Sequence, residues 1–323
     1  MKVAVVGAGV MGCAAAWALR ARGVDVAVHE QFELDNTRGS SHGRSRIFRI
    51  SYPEASWIRF AQEAHAGWRE LEREAGVELL SLHGLVEIAP EPALTSAAAL
   101  DECGVGYRLL DAGEVRMLGA TLPDGWTALF SEDAGIVHAD RARHAFLDAA
   151  GVRVETGSRV DSLDALDVDV VVVTAGPWVR RLVPDLPVRV TCETLAYFRR
   201  EGSPPPSIVD LNAETGGHSM YSLYDPVYGL KAGAHHAGAE ADPDTDASPD
   251  PAIVERISSW VRERFPGVDP DPVGVDTCLY TTTADLRFIL ERRGRVVIGS
   301  ACSGHGFKFA PAVGRRLAAL ALA

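Results

Sequence analysis

Lys2-Val3-Ala4-Val5-Val6-Gly7-Ala8-Gly9-Val10-Met11-Gly12 is the stretch on which the fold of this chain turns. A short apolar strand, Lys2–Val6, runs into glycines spaced G-x-G-x-x-G, and the small residues from Cys13 to about Ala21 continue as a helix. The first glycine permits a tight turn, the second lets a pyrophosphate approach the backbone, and the third lets helix and strand pack closely. Free N–H groups and the positive dipole end at the helix N-terminus complete an anion site. A second strand, Val24–His29, ends at Glu30, where a carboxylate accepts ribose hydroxyls. Strand, helix, strand and acid in this order predict a βαβ dinucleotide-binding unit on Gly7, Gly9, Gly12 and Glu30. An acid at that place disfavours a 2′-phosphate, so FAD and NAD stay open and NADP does not.

Composition bounds the rest. The 323 residues are 47% hydrophobic, enough for a large core shared by two domains. A net charge of −12 with no basic block disfavours nucleic acid or an anionic membrane as partner. The apolar run Val168–Ala175 is too short to cross a membrane and reads as a buried strand. Met1-Lys2 leads straight into the first strand, so no signal peptide is expected. Cys13, Cys103, Cys192, Cys278 and Cys302 make neither a CxxC pair nor a metal-site spacing with histidine. Scattered thiols of this kind fit a cytoplasmic protein with no metal.

Helical spacing of Trp57, Phe60, Ala61, Ala64, Trp68 and Leu71 predicts an amphipathic helix from Glu54 to about Gly76. Shorter helices are expected over Pro92–Cys103, Asp140–Ala150 and Pro251–Phe265, with a terminal helix from about Gly306. Strands are expected at Val77–Ile88, Val152–Glu155, Val168–Val173, Val188–Arg199, Met220–Leu223, Gly229–Ala234, Val273–Thr283, Phe288–Leu290 and Val296–Ile298. Asn36–Ser45 reads as a loop and Ala237–Pro251 as a mobile surface loop. Parallel-type elements sit at both ends and in the middle, with antiparallel ones between. The expected fold is therefore α/β, or α+β overall: a Rossmann-type domain interleaved with an antiparallel-sheet substrate domain. The boundaries read as 1–76, 135–182 and 284–323 for the first, and 77–134 and 183–283 for the second.

After the second strand comes Arg38-Gly39-Ser40-Ser41-His42-Gly43-Arg44-Ser45-Arg46-Ile47-Phe48-Arg49. By itself it is a solvated basic loop, but Arg46 and Arg49 flank an apolar pair, a setting in which arginine grips carboxylates. This segment resembles the region after the second strand in the monomeric sarcosine oxidase and L-pipecolate oxidase family of amine-oxidising flavoenzymes. Four further motifs agree in order: Thr174-Ala175-Gly176-Pro177-Trp178, Gly229-Leu230-Lys231-Ala232-Gly233-Ala234-His235, Cys278-Leu279-Tyr280-Thr281, and Ser303-Gly304-His305-Gly306-Phe307-Lys308-Phe309. The resemblance covers nearly the whole chain.

The resemblance implies FAD, held by the glycine motif and Glu30, with Ser40, His42, Arg46, Gly304, Gly306 and Lys308 also against the cofactor. It implies a covalent link from the flavin 8α-methyl to Cys278; an ordinary buried thiol is the alternative. Arg49 and Lys308 match the pair that binds the substrate carboxylate, with Tyr280 beside them. Lys231, helped by Arg46, matches the lysine that promotes oxygen reduction. His235 and Tyr221 match active-site residues, and a structural histidine is the alternative for His235. The implied reaction oxidises a secondary amino acid, such as sarcosine, another N-methyl amino acid or a cyclic imino acid, to an imine with hydrogen peroxide as by-product. The partners implied are that substrate and O2, and the protein is expected to be a monomer. Alternatives are a tailoring enzyme of secondary metabolism with another acceptor, a partner-dependent flavoprotein subunit, and an NAD-dependent dehydrogenase. Arg44, Cys302 and Leu286-Arg287 depart from the family pattern, and the chain ends soon after Phe309. These departures fall around the pocket and bear on substrate more than on cofactor.

Overall fold

Three sheets organise the computed structural model, which describes residues 1–90, 96–211, 219–300 and 303–323. In the first, Lys2–Val6 lies parallel between Asp25–His29 and Val170–Val173, with Val5 opposite both Val28 and Val172. Val154–Glu155 extends one side in parallel, and Val296–Ser300 the other. Ile289–Arg293 closes that edge as an antiparallel hairpin arm. Its inner strands are short valine-rich runs, as a parallel sheet covered on both faces requires. The helix Val10–Arg20 packs between Ala139–Ala150 and the terminal helix Ala310–Leu322. Its Ala14, Ala15 and Ala16 are fully buried, because the neighbouring helix comes very close. A Cβ on Gly314 would lie 2.5 Å from the Ala14 carbonyl carbon.

The second sheet has nine strands and is mostly antiparallel. Its spine is Val188–Arg199, paired along one edge with Gly229–Ala234 and Ala239–Glu240, and along the other with Gly274–Thr283. Met220–Leu223, Ser207–Asp210, Leu85–Pro90, Trp126–Ser131 and Arg108–Leu110 follow in that order, and Ser207–Asp210 runs parallel to Leu85–Pro90. Helix Pro251–Arg264 covers it through Ile253, Ile257, Trp260 and Val261, which share one apolar cluster with Phe198, Leu230 and Ala232. The third sheet joins Ser45–Phe48, Gly135–His138 and Leu80–Leu82.

The expected elements are present, most of them with shifted ends. The first helix starts at Val10, not Cys13. The expected strand Val77–Ile88 is two strands, because Gly84 at φ 88° turns the chain between Leu82 and Leu85. Asn36–Ser45 is a loop whose last residue already pairs with His138. Ala237–Pro251 includes the strand Ala239–Glu240 and is tied down through Asp244, which accepts from Trp178 Nε1 at 2.7 Å and pairs with Arg181. Trp126–Ser131, Gly135–His138, Arg108–Leu110 and Ser207–Asp210 were not expected; their partners include strands far away in sequence. The helix Ser96–Glu102 is the described part of the expected Pro92–Cys103. Residues 92–95 and Cys302 lie outside the described residues.

Candidate active site

A cavity of about 570 Å³ runs between the two large sheets, from the glycine-rich turn to Lys308. At the nucleotide end Gly7 takes φ 100°, and a Cβ there would sit 2.6 Å from the Thr174 carbonyl oxygen. A Cβ on Gly12 would overlap the Gly7 carbonyl and come within 2.7 Å of Thr174 Oγ1. Gly12 therefore lies beneath the cavity and sets how closely helix and strand pack, while Gly7 and Gly9 face it. Glu30 accepts the Ala8 N–H at 2.9 Å and the Phe32 N–H at 3.0 Å. It thereby fixes the turn while still lining the cavity. Thr174 of the Thr174–Trp178 motif donates to the carbonyl oxygens of Val6 and Gly7.

The arginine-rich segment arches over the middle. Arg46 gives its guanidinium to three backbone carbonyls, those of Ser40, His42 and Ser45. One half-buried cation thus shapes the whole loop. Ser40 Oγ donates to the Leu279 carbonyl, and His42 Nε2 lies 3.0 Å from the Thr277 carbonyl. The loop is thereby tied to the strand that carries Cys278. Burial and then Arg46 push His42 down to about 4, so it is neutral at physiological pH. Lys231, 3% exposed, donates to the Ser45 carbonyl at 3.3 Å. Burial first and Arg46 second pull its ammonium down to about 7. Cys278 is buried and packs with Leu195, Tyr221 and Tyr280. Arg46 and Lys231 both feel it electrostatically.

At the far end Lys308 Nζ donates to the His305 carbonyl at 2.8 Å, while Trp68 Nε1 donates to the carbonyl of Lys308. Burial and the nearby Arg49 hold Lys308 well below the usual lysine range. Arg49 stacks on Tyr52, with 4.3 Å from its central carbon to the ring centre. His235 Nδ1 lies 3.3 Å from Tyr280 Oη and is kept neutral by burial and by His236, His305, Arg49 and Lys308. Burial pushes the Tyr221 hydroxyl up, and its ring lies where a Cβ on Gly233 would be, 2.5 Å from the hydroxyl. Gly304, at φ 74°, leaves the same kind of room for Tyr280 and His235. Gly306 precedes the short turn Phe307–Phe309 and also lines the cavity.

Of the residues singled out in the sequence, all but Gly12 line this one cavity. Glu87 was missed. It is 1% exposed and accepts from Arg49 at 2.9 Å, from Ser51 at 2.6 Å and from Ser96. The signal was present, an acid inside the apolar run Leu85-Val86-Glu87-Ile88. Arg44, the departure from the family pattern, forms a two-pronged pair with the buried Asp225 and lies over Tyr197 and Tyr228.

The donor set fits a flavin dinucleotide. The turn leaves no room for side chains at Gly7 and Gly12. His42 Nδ1, Ser45 Oγ and Thr281 Oγ1 are buried along the cavity without a hydrogen-bond partner among the described residues. Among the described residues no group of three or more histidine, cysteine or acidic side chains comes together as a metal would need. What such a cleft can hold is redox chemistry on a bound dinucleotide, and the protein is an FAD-dependent oxidoreductase. The chain belongs to the FAD dependent oxidoreductase family, whose model matches residues 2–320. It is 33% identical to the peroxisomal sarcosine oxidase of Homo sapiens, over 98% of this chain and 91% of that one. It is 28% identical to the monomeric sarcosine oxidase of Bacillus sp. (strain B-0618), over 99% and 92%. Its fold is similar to NikD, described as an unusual amino acid oxidase essential for nikkomycin biosynthesis, with a TM-score of 0.87, 26% identity, and coverage of 99% and 93%.

Proposed function

We propose that this protein oxidises the C–N bond of a secondary amino acid to an imine, with O2 as electron acceptor and hydrogen peroxide as product. The observation that carries this reading is the placement of two cations, the half-buried Arg49 and the buried Lys308, at one end of a cavity whose other end is a dinucleotide cradle. FAD supplies the two-electron acceptor for the C–H bond beside the amine nitrogen. Arg49 and Lys308 hold the substrate carboxylate and so fix the position of that carbon. His235, Tyr221 and Tyr280 wall the amine end and exclude water; His235, neutral, can accept a proton at a ring nitrogen. Lys231 and Arg46 supply positive charge for oxygen reduction. The relatives' names, sarcosine oxidase and amino acid oxidase, support the substrate class.

The test is anaerobic mixing of the FAD-loaded protein with N-methyl and cyclic amino acids, followed by visible absorbance. Bleaching of the oxidised band, then its return with peroxide on admitting air, is expected. A spectrum that stays oxidised with every such substrate would sink the reading.

Cys278 is the residue we assign to covalent attachment of the flavin. After acid precipitation the yellow colour should stay with the protein, and a peptide containing Cys278 should carry the mass of FAD. Colour that stays with Cys278→Ser would overturn this.

For the domains we propose 1–76, 135–182 and 284–323 as cofactor-binding and 77–134 and 183–283 as substrate-binding. The strands of the six-stranded sheet all come from the first set, which supports the division. The sheet of Ser45–Phe48, Gly135–His138 and Leu80–Leu82 lies at the join. Among the described residues no helix is long and apolar enough to cross a membrane. We propose a monomer, supported by the relative named as monomeric. The thiols of Cys13, Cys103 and Cys192, in no disulfide among the described residues, support a reducing compartment such as the cytoplasm.

A further inference from the structure

The cationic end of the cavity has an acid behind it that the reaction does not call for. Glu87 stands on Leu85–Pro90 between Val86 and Ile88, both fully buried. Its two oxygens take up Arg49, Ser51 and Ser96. These donors come from the segment after the arginine-rich loop and from the start of helix Ser96–Glu102. Burying a carboxylate costs more than burying a leucine of similar size, even when it is paired. The strand therefore carries a charge that packing alone would not select.

That charge acts on Arg49 in two ways. It holds the guanidinium by one nitrogen, while the ring of Tyr52 supports its face. Arg49 still lines the cavity, and a guanidinium has donors to spare for a ligand. It also offsets the charge of Arg49, so that Lys308, its ammonium weakened by burial and by Arg49, is what remains at this end to answer a carboxylate. His235 and His305 add none, because burial, with cationic neighbours, keeps both neutral. A substrate with one carboxylate uses up the remaining charge. A second carboxylate at this end would find no further cation, since Arg46 and Lys231 line the middle of the cavity, and would feel Glu87 through a water-poor wall, where like charges repel strongly.

We propose that Glu87 is a positioning residue for Arg49 and a specificity determinant that confines the site to amino acids with a single carboxylate. This rests on the substrate reading above and goes further, naming the monocarboxylic class and the residue that rejects N-alkyl aspartates and glutamates. The unwanted ligand is repelled by charge, with little change for the wanted one.

The experiment measures dissociation constants of acetate and malonate for the FAD-loaded protein, from the perturbation of its visible spectrum. Neither ligand can be oxidised as an amine, so the result reports pocket charge and not turnover. The unchanged protein should bind acetate more tightly than malonate. Glu87→Gln, which keeps shape and an acceptor for Arg49, should shift the ratio toward malonate by about tenfold. Glu87→Asp keeps the charge but retracts it, and should weaken both ligands with the ratio preserved. An unchanged ratio in Glu87→Gln, or the same shift in Glu87→Asp, would overturn the proposal; if Glu87→Gln does not fold, Glu87→Asp alone still decides by its ratio. A ratio that shifts in a protein that bleaches with no secondary amino acid would support the role of Glu87 and refute the reaction.

Discussion

Lys231 shows how much one side chain owes to its surroundings. It sits on a fully buried strand, with Ser45 as its hydrogen-bond acceptor and Arg46 close enough to lower its basicity. A cation kept in such a place at a cost in solvation is expected to do work there. Lys231→Met should slow reoxidation of the reduced protein by O2 by about 100- to 1000-fold, while anaerobic reduction by substrate changes little. Stopped-flow measurement of the two half-reactions checks this, and equal slowing of both would remove the assignment. The residues around Lys231 were legible in the sequence because their neighbours form short motifs with fixed chemistry: glycines at set spacing, arginines flanking an apolar pair, a lysine after Gly229-Leu230. Glu87 showed only as an acid inside an apolar run, and its role was not legible, since that depends on Arg49, Ser51 and Ser96 meeting it across two elements. No spacing along the chain encodes that meeting.

Elements were read where their pattern is long or their composition plain. Val188–Arg199, Met220–Leu223 and Gly229–Ala234 have the ends expected of them. Their register is another matter. Cys278 faces Glu193 across the ladder and Lys231 faces Tyr197, and neither pairing follows from strand propensity. Ser207–Asp210 escapes notice because Pro204-Pro205-Pro206 directly before it makes the segment read as a loop. The contact between Val10–Arg20 and Ala310–Leu322 is an element-scale feature with its own prediction. Gly314→Val would drive two methyl groups into the Ala14 backbone. The helices would have to separate, at a cost of about 1–3 kcal/mol. Thermal unfolding should show a lower Tm together with weaker retention of FAD. An unchanged Tm would mean that the helices do not touch as described.

At the scale of the whole molecule, the cavity is surrounded by buried ionisable groups, and this ties stability to pH. His42 titrates at about 4 in the folded state against its ordinary 6.5. On unfolding it takes up a proton anywhere between those values. Its contribution is therefore fully present above pH 6.5 and is lost as pH falls toward 4, at about 1.4 kcal/mol per pH unit. Denaturant titrations at a series of pH values should show this decline, and His42→Gln should flatten it by one proton's worth. A slope unaffected by that substitution would show that His42 is charged when folded. The two-sheet plan was legible because parallel-type strands recur at both ends of the sequence. The crossing of Leu80–Leu82 into the sheet with Ser45–Phe48 was not, because it depends on how the two large sheets abut.

The threading of the six-stranded sheet also bears on how the protein is made. Lys2–Val6 leaves the ribosome well before its neighbour Val170–Val173, and Val296–Ser300 follows later still. Until then an apolar strand edge is open to wrong partners. The cavity wall is finished only by Gly304–Lys308. A nascent chain stalled before that point carries the glycine cradle but not the far wall, so cofactor capture waits until Gly304–Lys308 has emerged, and until then the open strand edges are exposed to aggregation.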